Sequence, residues 1–356
     1  MKLRLCIRLL LSIGICILFQ PNVFARVAVK SLLPFASIPI PRAINPPPSK
    51  METDVRAYGT YYSASGTLDD EDEDSYSIDE TMMRVGGDLA LGSGQLGIAY
   101  SSISQKLESD SLTEDKKKAG YNMDIEAEGE ALDIGYFYLL DEATTLGILA
   151  TNISQKINRK ATVSVATFTD GKKEHEGEAS VEYWQYEFAA SNRFDSGFSL
   201  GVNYAPSVEK NKNLDGDYTG IISRNGHGNQ LILGAGFQQE RYSLELDYML
   251  ESEQESTLSG KGTGFSFSAE YLIAKNFAVL GNIQSVEYSK VEDKETIYPK
   301  YTERLIYISA TFQNEWITVD AGFIKENEDF KDDDPAKARE DKADSTTLFV
   351  SVGKSF

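Results

Sequence analysis

Between residues 242 and 250 the chain alternates Tyr242, Leu244, Leu246, Tyr248 and Leu250 with intervening residues that include Glu245 and Asp247. A period of two is the pattern of a β-strand whose two faces meet different environments. Similar short runs recur from residue 53 to residue 356, and no helical period of 3.6 competes with them. One face is apolar and aromatic, and the other is small, polar or acidic. The sequence therefore predicts an all-β fold.

The connections between these runs alternate in length. Short ones fall near 92–94, 141–143, 191–196, 238–241, 274–276 and 313–315, and longer polar ones fall near 66–76, 108–121, 157–177, 208–227, 252–262, 289–300 and 328–344. Fourteen strands of about ten residues or more lie between them, which is typical of a transmembrane antiparallel β-barrel. Because hydrocarbon cannot satisfy backbone N–H and C=O groups, a sheet there must close on itself. We predict such a barrel over residues 53–356, with short periplasmic turns and long acidic extracellular loops.

A secreted soluble barrel or sandwich with an apolar inside and a polar outside has the same periodicity, so alternation alone leaves this alternative open.

The composition excludes or disfavours several other classes of protein. The chain has 35 Lys and Arg against 55 Asp and Glu, a formal net charge of -20 and 41% hydrophobic residues. Mean hydropathy is -0.33, which excludes a bundle of transmembrane helices. The acidity disfavours binding to nucleic acid or to an anionic membrane surface.

The first 25 residues have the layout of a secretory signal peptide. Lys2 and Arg4 precede an apolar run over residues 9–19, and Ala25 offers a small residue at the expected cleavage point. Cleavage there removes both cysteines, so the mature chain would have no disulfide. Seven of the ten prolines lie between Pro21 and Pro48, six of them within residues 26–52, and we expect this segment to be a Pro-rich periplasmic leader or a plug.

The segment from Thr346 to Phe356 resembles the C-terminal strand of Gram-negative outer-membrane β-barrel proteins, in which a terminal Phe follows alternating apolar residues. The resemblance implies that the barrel-assembly machinery reads Phe356 and that the chain lies in the bacterial outer membrane. Fourteen strands after an N-terminal segment also look like the long-chain fatty acid transporter family, in which the leader forms a hatch. That family's Asn-Pro-Ala motif near the start is not evident in this chain, which has Asn45-Pro46-Pro47 there instead. A monomeric fourteen-stranded general porin is the other template.

Strand parity assigns charged side chains to the inside of the barrel. The predicted lumen-lining residues are Arg84, Asp88, Asp133, Glu187, Glu245, Asp247, Glu270 and Asp320. An acidic lining raises the local concentration of cations and disfavours anions. The same residues could instead form a polar network that fills the interior. Few large apolar residues are expected to point inward.

Other candidate features follow from the barrel. Aromatic residues near strand ends predict a membrane girdle of Trp184, Trp316, Tyr248, Tyr271 and Phe312. The acidic runs 69–74 and 332–334 lack the ligand spacing of a calcium loop and are expected to be solvated, close to lipid and lipopolysaccharide. His175 and His227 are expected in long loops without a catalytic partner. We therefore expect no enzyme activity, metal or cofactor.

These features favour passive diffusion of small hydrophilic solutes through a water-filled, cation-biased pore. Uptake of hydrophobic molecules, with residues 26–52 as a hatch, ranks second because of the expected lack of inward apolar residues. A closed barrel that acts through its acidic loops, as an adhesin or anchor, is the third possibility.

Overall fold

The computed structural model describes residues 55–69, 75–111, 122–141, 143–163, 173–216, 225–254, 259–274, 276–293, 296–297, 300–314, 317–331 and 340–355. The predicted signal peptide and the Pro-rich segment lie outside this range, and so do Trp316 and Phe356. Within the described part of the chain there is no helix long and apolar enough to cross a membrane.

The described residues form fifteen β-strands. Their bounds are β1 Val55–Asp69, β2 Ser75–Leu91, β3 Gly94–Ser111, β4 Asn122–Leu139, β5 Thr144–Val163, β6 Lys173–Arg193, β7 Phe198–Gly216, β8 Asn225–Gln238, β9 Tyr242–Gln254, β10 Ser259–Ala274, β11 Phe277–Asp293, β12 Thr296–Ile297, β13 Lys300–Gln313, β14 Thr318–Lys331 and β15 Glu340–Ser355. All but the two-residue β12 are long, from 13 residues in β9 to 21 residues in β6.

The fourteen long strands form a closed antiparallel barrel. Each pairs with its neighbours along the chain, β10 pairs with β11, and β11 pairs with β13. The first and last strands close the ring in a register that runs from Arg56 opposite Ser355 to Asp69 opposite Lys342. Strand β12 adds a short pairing at the end of β11. The predicted fold class and strand number are confirmed.

The two faces of the sheet differ sharply in exposure, as β9 illustrates. Leu246 is 54% exposed on the outer face, whereas Glu245 and Asp247 on the inner face are 2% and 0% exposed. The same distribution holds around the ring, with exposed Met83, Val85, Ile98, Phe188, Phe265, Ile283 and Leu348 among the outer residues. A soluble barrel would have the opposite arrangement, since so large an apolar surface in water costs about 25 cal/mol per Å². The outer surface therefore suits hydrocarbon rather than water.

At one end of the barrel, the strand bounds leave connections of only two to four residues, at 92–93, 140–143, 194–197, 239–241, 275–276 and 314–317. Gly92 and Gly197 have φ angles of 62° and 83°, in the left-handed region that glycine adopts without strain. Asp141 accepts hydrogen bonds from the backbone N–H groups of Ala143 and Thr144 at 2.8 and 2.7 Å. These bonds lower the pKa of the Asp141 carboxyl because they favour its charged form.

The strands are longer than predicted, mostly toward the end with the longer connections. For β6 the pattern predicted residues 178–190, whereas the strand is Lys173–Arg193; β7 continues to Gly216 instead of 207. A tilted strand needs only about 9–11 residues to span hydrocarbon, so the rest of each strand projects beyond it. There both faces are polar and alternation is lost, although the backbone ladder continues. The placement of His175 and His227 in loops was consequently wrong, because they lie in β6 and β8.

Candidate binding site inside the barrel

The eight residues assigned by parity to the lumen all lie on the buried face of the sheet. Their positions are Arg84 and Asp88 in β2, Asp133 in β4, Glu187 in β6, Glu245 and Asp247 in β9, Glu270 in β10 and Asp320 in β14. The structure therefore brings these side chains to the inside of one barrel. Their side chains are almost inaccessible to water, which differs from the lining of a wide, water-filled pore.

Polar partners surround several of these carboxylates. Arg84 forms a salt bridge with Asp133, and the Thr151 hydroxyl donates to the other Asp133 oxygen at 2.7 Å. The Asn203 amide donates to Glu187 at 3.2 Å. Buried charges are costly unless they are paired and hydrogen-bonded, so these contacts stabilise the inner wall. Gln95 donates similarly to Asp88, and Thr311 donates to Asp320 at 3.0 Å.

Three buried acids were missed by the sequence analysis. Glu80 in β2, Glu303 in β13 and Glu326 in β14 lie on the inner face, and they are 3%, 5% and 3% exposed. Gln105 donates to Glu80 at 2.6 Å and in turn accepts from Gln155 at 2.7 Å. Glu80 and Glu326 share the parity of residues that were recognised, Arg84 in β2 and Asp320 in β14, and Glu303 shares the parity of the buried Leu305 in β13. The same parity count, continued to the strand ends that have the longer connections, identifies all three acids.

A large apolar patch also lies inside the barrel, on nine neighbouring strands from β11 through β15 and β1 to β5, with the short β12 excepted. We call it the inner apolar patch; its buried members are Tyr62, Met82, Ile103, Ala131, Ile153, Leu280, Leu305, Tyr307, Ile324 and Phe349. Phe349 stacks on Tyr307 with ring centroids 5.6 Å apart and packs against Tyr62 at 5.8 Å. The expectation of few large apolar residues inside was wrong.

The sequence analysis did not recognise this patch, in part because several of its residues have apolar neighbours on the outer face as well. Tyr61 and Tyr62 are consecutive, as are Met82 and Met83, yet one member of each pair is exposed and the other is buried. Where both faces are apolar, the period of two disappears. A second, smaller inner cluster contains Ile232, Met249 and Val286, with Tyr288 packed against it.

The predicted girdle residues that the structure describes lie on the outer face. Trp184 stacks with Tyr186 at 6.3 Å, and Tyr248 packs against Phe265 at 5.1 Å. Tyr271 and Phe312 lie close to the short-turn end, where they are 51% and 41% exposed. Trp316 lies outside the described residues. The girdle role of these residues stays a prediction.

In the described ranges, His, Cys, Asp and Glu form no group of three or more that is arranged to hold a metal ion. Residues 70–74 and 332–334 of the acidic runs lie outside these ranges. His227 is exposed in β8, opposite Val208 and Gln254 in the neighbouring strands.

A closed fourteen-stranded antiparallel barrel, apolar outside and with a mixed apolar and acidic interior, defines the structural class of this chain. No family model matches the chain, and no curated protein matches it in sequence.

Several solved structures have a fold similar to that of this chain. The chain is similar to the P. putida toluene transporter TodX, with 11% identity, a TM-score of 0.57 and coverage of 86% of this chain and 91% of that chain. The Ralstonia pickettii toluene transporter TbuX gives 8% identity, a TM-score of 0.53 and coverage of 86% and 90%. A Pseudomonas aeruginosa FadL homologue gives 9% identity, a TM-score of 0.54 and coverage of 85% and 90%. At these identities the likeness concerns the fold.

Proposed function

We propose that this protein is an outer-membrane barrel that carries small hydrophobic molecules across the membrane. The observation that carries the proposal is the inner apolar patch, in which the Phe349 ring contacts the rings of both Tyr62 and Tyr307 inside the barrel. A nonpolar solute has a lower free energy in contact with aromatic rings on an inner wall than it has in water. A pocket for a small molecule typically combines such a surface with a few polar groups.

The structural neighbours support the same function. TodX and TbuX are described as toluene transporters, and a further TodX structure is described as a monoaromatic hydrocarbon channel. Their fold matches more than four-fifths of this chain. The apolar outer face and the N-terminal signal pattern support a location in the bacterial outer membrane, in contact with lipid and lipopolysaccharide.

Diffusion of small hydrophilic solutes is the second candidate, supported by the acidic inner residues. It ranks lower because two solved structures of similar fold are described as toluene transporters; burial does not separate the candidates, since the inner acids and the inner apolar patch are buried to the same extent.

Uptake of radiolabelled toluene by cells that express the full chain tests the proposal. Expression should accelerate toluene entry over cells that lack the protein, and entry of a hydrophilic solute of similar size should change much less. Phe349→Ser makes the inner patch polar and should slow toluene entry. Leu348→Ser is the matched control, because Leu348 is the adjacent residue on the outer face and is 62% exposed. Equal entry with and without the protein would contradict the proposal.

A further inference from the structure

Two basic side chains are neighbours on the outer face of the barrel. Lys325 in β14 and Arg304 in β13 are both exposed. Lys325 lies directly opposite Ile306, which is two positions from Arg304 on the same face of β13. Side chains in this diagonal relationship lie about 7–8 Å apart, so both long side chains can reach one small group between them. Their positive charges repel each other, and an anion held between them would remove that repulsion.

The surface beside Lys325 is apolar on the side toward the short connections. Phe323, two positions away in β14, is exposed on the outer face, and so are Ile306 and Leu348 in the two neighbouring strands. Among the side chains that the structure describes, Lys325 forms no salt bridge. A lysine in an apolar surface is costly without a counterion, so its charge calls for a partner from outside the chain.

Three acids lie on the same surface, each farther toward the long connections. Asp329 Oδ2 is 3.5 Å from Arg304 Nη1, and Asp344 accepts a hydrogen bond from Asn327. The third acid, Glu287 of β11, lies opposite the residue two positions beyond Arg304. The two basic residues therefore lie between the apolar surface and these acids. An anionic ligand would be repelled from the acids and held on their apolar side.

The strand positions place both basic groups near the outer edge of the apolar band. Lys325 is seven positions beyond Thr318 at the start of β14, and Arg304 is nine positions before Gln313 at the end of β13. At about 3.3 Å per residue and a tilt of about 40°, they lie about 18 and 23 Å above the short connections. The apolar band of such barrels is about 25 Å tall, and long basic side chains extend toward the interface. Both cationic groups therefore reach the headgroups of the outer leaflet.

Other lysines of the outer face have acidic partners in the protein itself. Lys106 lies opposite Glu126 and forms a salt bridge with Glu108. Lys156 lies opposite Glu128. By contrast, the residues directly opposite the two basic side chains of β13 and β14 are all neutral. In a chain with a formal net charge of -20, this pair is therefore an unusual place for an anion to bind.

We propose that Lys325 and Arg304 bind the phosphate of a lipid headgroup in the outer leaflet, while the acyl chains of the same lipid lie on the apolar surface beside Phe323. The guanidinium of Arg304 can donate two parallel hydrogen bonds to a phosphate, and the Lys325 ammonium adds a compact positive charge. This inference rests on the outer-membrane location in the proposed function and adds a lipid ligand to it.

Lipid A that carries both phosphates and the same lipid A after removal of its phosphates form a matched pair of probes. Native mass spectrometry of the purified full chain, titrated with each lipid in a non-ionic detergent, measures both affinities. The phosphorylated lipid should bind about tenfold or more tightly, the difference expected for one charge-assisted hydrogen bond.

Substitutions on the two strands locate the site. Lys325→Gln and, separately, Arg304→Gln should lower the affinity for phosphorylated lipid A about tenfold and leave binding of the dephosphorylated lipid unchanged. Lys325→Arg keeps the charge and should retain the affinity of the parent. Lys106→Gln is the matched control, because it removes one positive charge from the exposed outer face of β3 and should leave the affinity unchanged.

Equal affinities for the two lipids would overturn the inference, and so would equal losses in Lys325→Gln and Lys106→Gln. Displacement of phosphorylated lipid A by an equal concentration of inorganic phosphate would identify a site for a free anion and would also overturn it. If these results overturn lipid binding while toluene still enters cells through the protein, hydrophobic transport stands. If toluene uptake fails while phosphate-dependent lipid binding is observed, the transport proposal is rejected and the lipid site stands.

Discussion

Arg84 and Asp133 form a buried salt bridge on the inner wall of the barrel, across the intervening strand β3. Nη2 of Arg84 lies 2.6 Å from Oδ2 of Asp133, and the two side chains are 6% and 8% exposed. Among the side chains whose burial the structure describes, Arg84 is the one buried basic residue, and the other buried charged residues are acidic. Its removal would leave Asp133 charged and without a counterion.

Replacement of Arg84 by Met should therefore destabilise the barrel by about 3–5 kcal/mol, the usual cost of breaking a buried pair. Urea unfolding from lipid vesicles measures the change. Arg304→Met is the control, because Arg304 lies 3.5 Å from Asp329 on the exposed surface and should cost less than about 1 kcal/mol. Asp133→Asn should restore part of the stability lost in the Arg84 variant. Equal effects of the two Arg substitutions would contradict the structural role of the buried bridge.

The outer face can be tested by a charge placed in the apolar band. Leu246→Arg should destabilise the barrel by about 2–4 kcal/mol if Leu246 faces the middle of a bilayer. Ser104→Arg lies on the exposed outer part of β3 next to Lys106, and it should change stability by less than about 0.5 kcal/mol. Unfolding in vesicles gives both values. A negligible effect of Leu246→Arg would mean that this surface faces water.

At the end of the barrel with short connections, replacing Gly197 should destabilise the protein more than replacing Gly92. A Cβ at Gly197 would lie 2.3 Å from the backbone oxygen of Gln238, and its φ is also positive. Gly197→Ala should therefore cost about 1–3 kcal/mol. Gly92→Ala shares the positive φ but meets open space, so it should cost about 1 kcal/mol. Thermal unfolding of both variants should show the larger loss at Gly197.

The turn at Asp141 should give the barrel a small dependence on pH. Its pKa is lowered by the N–H groups of Ala143 and Thr144, so its contribution to stability is present at neutral pH and is lost as pH falls through the lowered pKa. Asp141→Ala should unfold at a lower urea concentration than the parent at pH 7. The difference should shrink below about pH 4, the usual range for Asp. A difference that stayed constant down to pH 2 would exclude this titration.

The alternation of apolar and polar residues predicted the barrel because successive side chains of each strand face the outside and the inside in turn. In β9 the exposed Leu246 and the buried Asp247 follow directly from adjacent positions in the sequence. The inner apolar patch could not be recognised in this way, because Tyr62 and Met82 each have an apolar neighbour that faces lipid. The strand ends were also underestimated, since the polar extensions of β6 and β7 pair through their backbones rather than through a side-chain pattern.

The sequence by itself determined the number of strands, their alternating connections and the side of the sheet on which most charged residues lie. These properties depend on local turn chemistry and on the period of two, which are readable residue by residue. Only closure of the barrel decided which inner side chains meet. It places β1 beside β15, so that Tyr62 contacts Phe349 from the opposite end of the described chain. Such contacts arise from the register of strands far apart in sequence, and no local pattern specifies them.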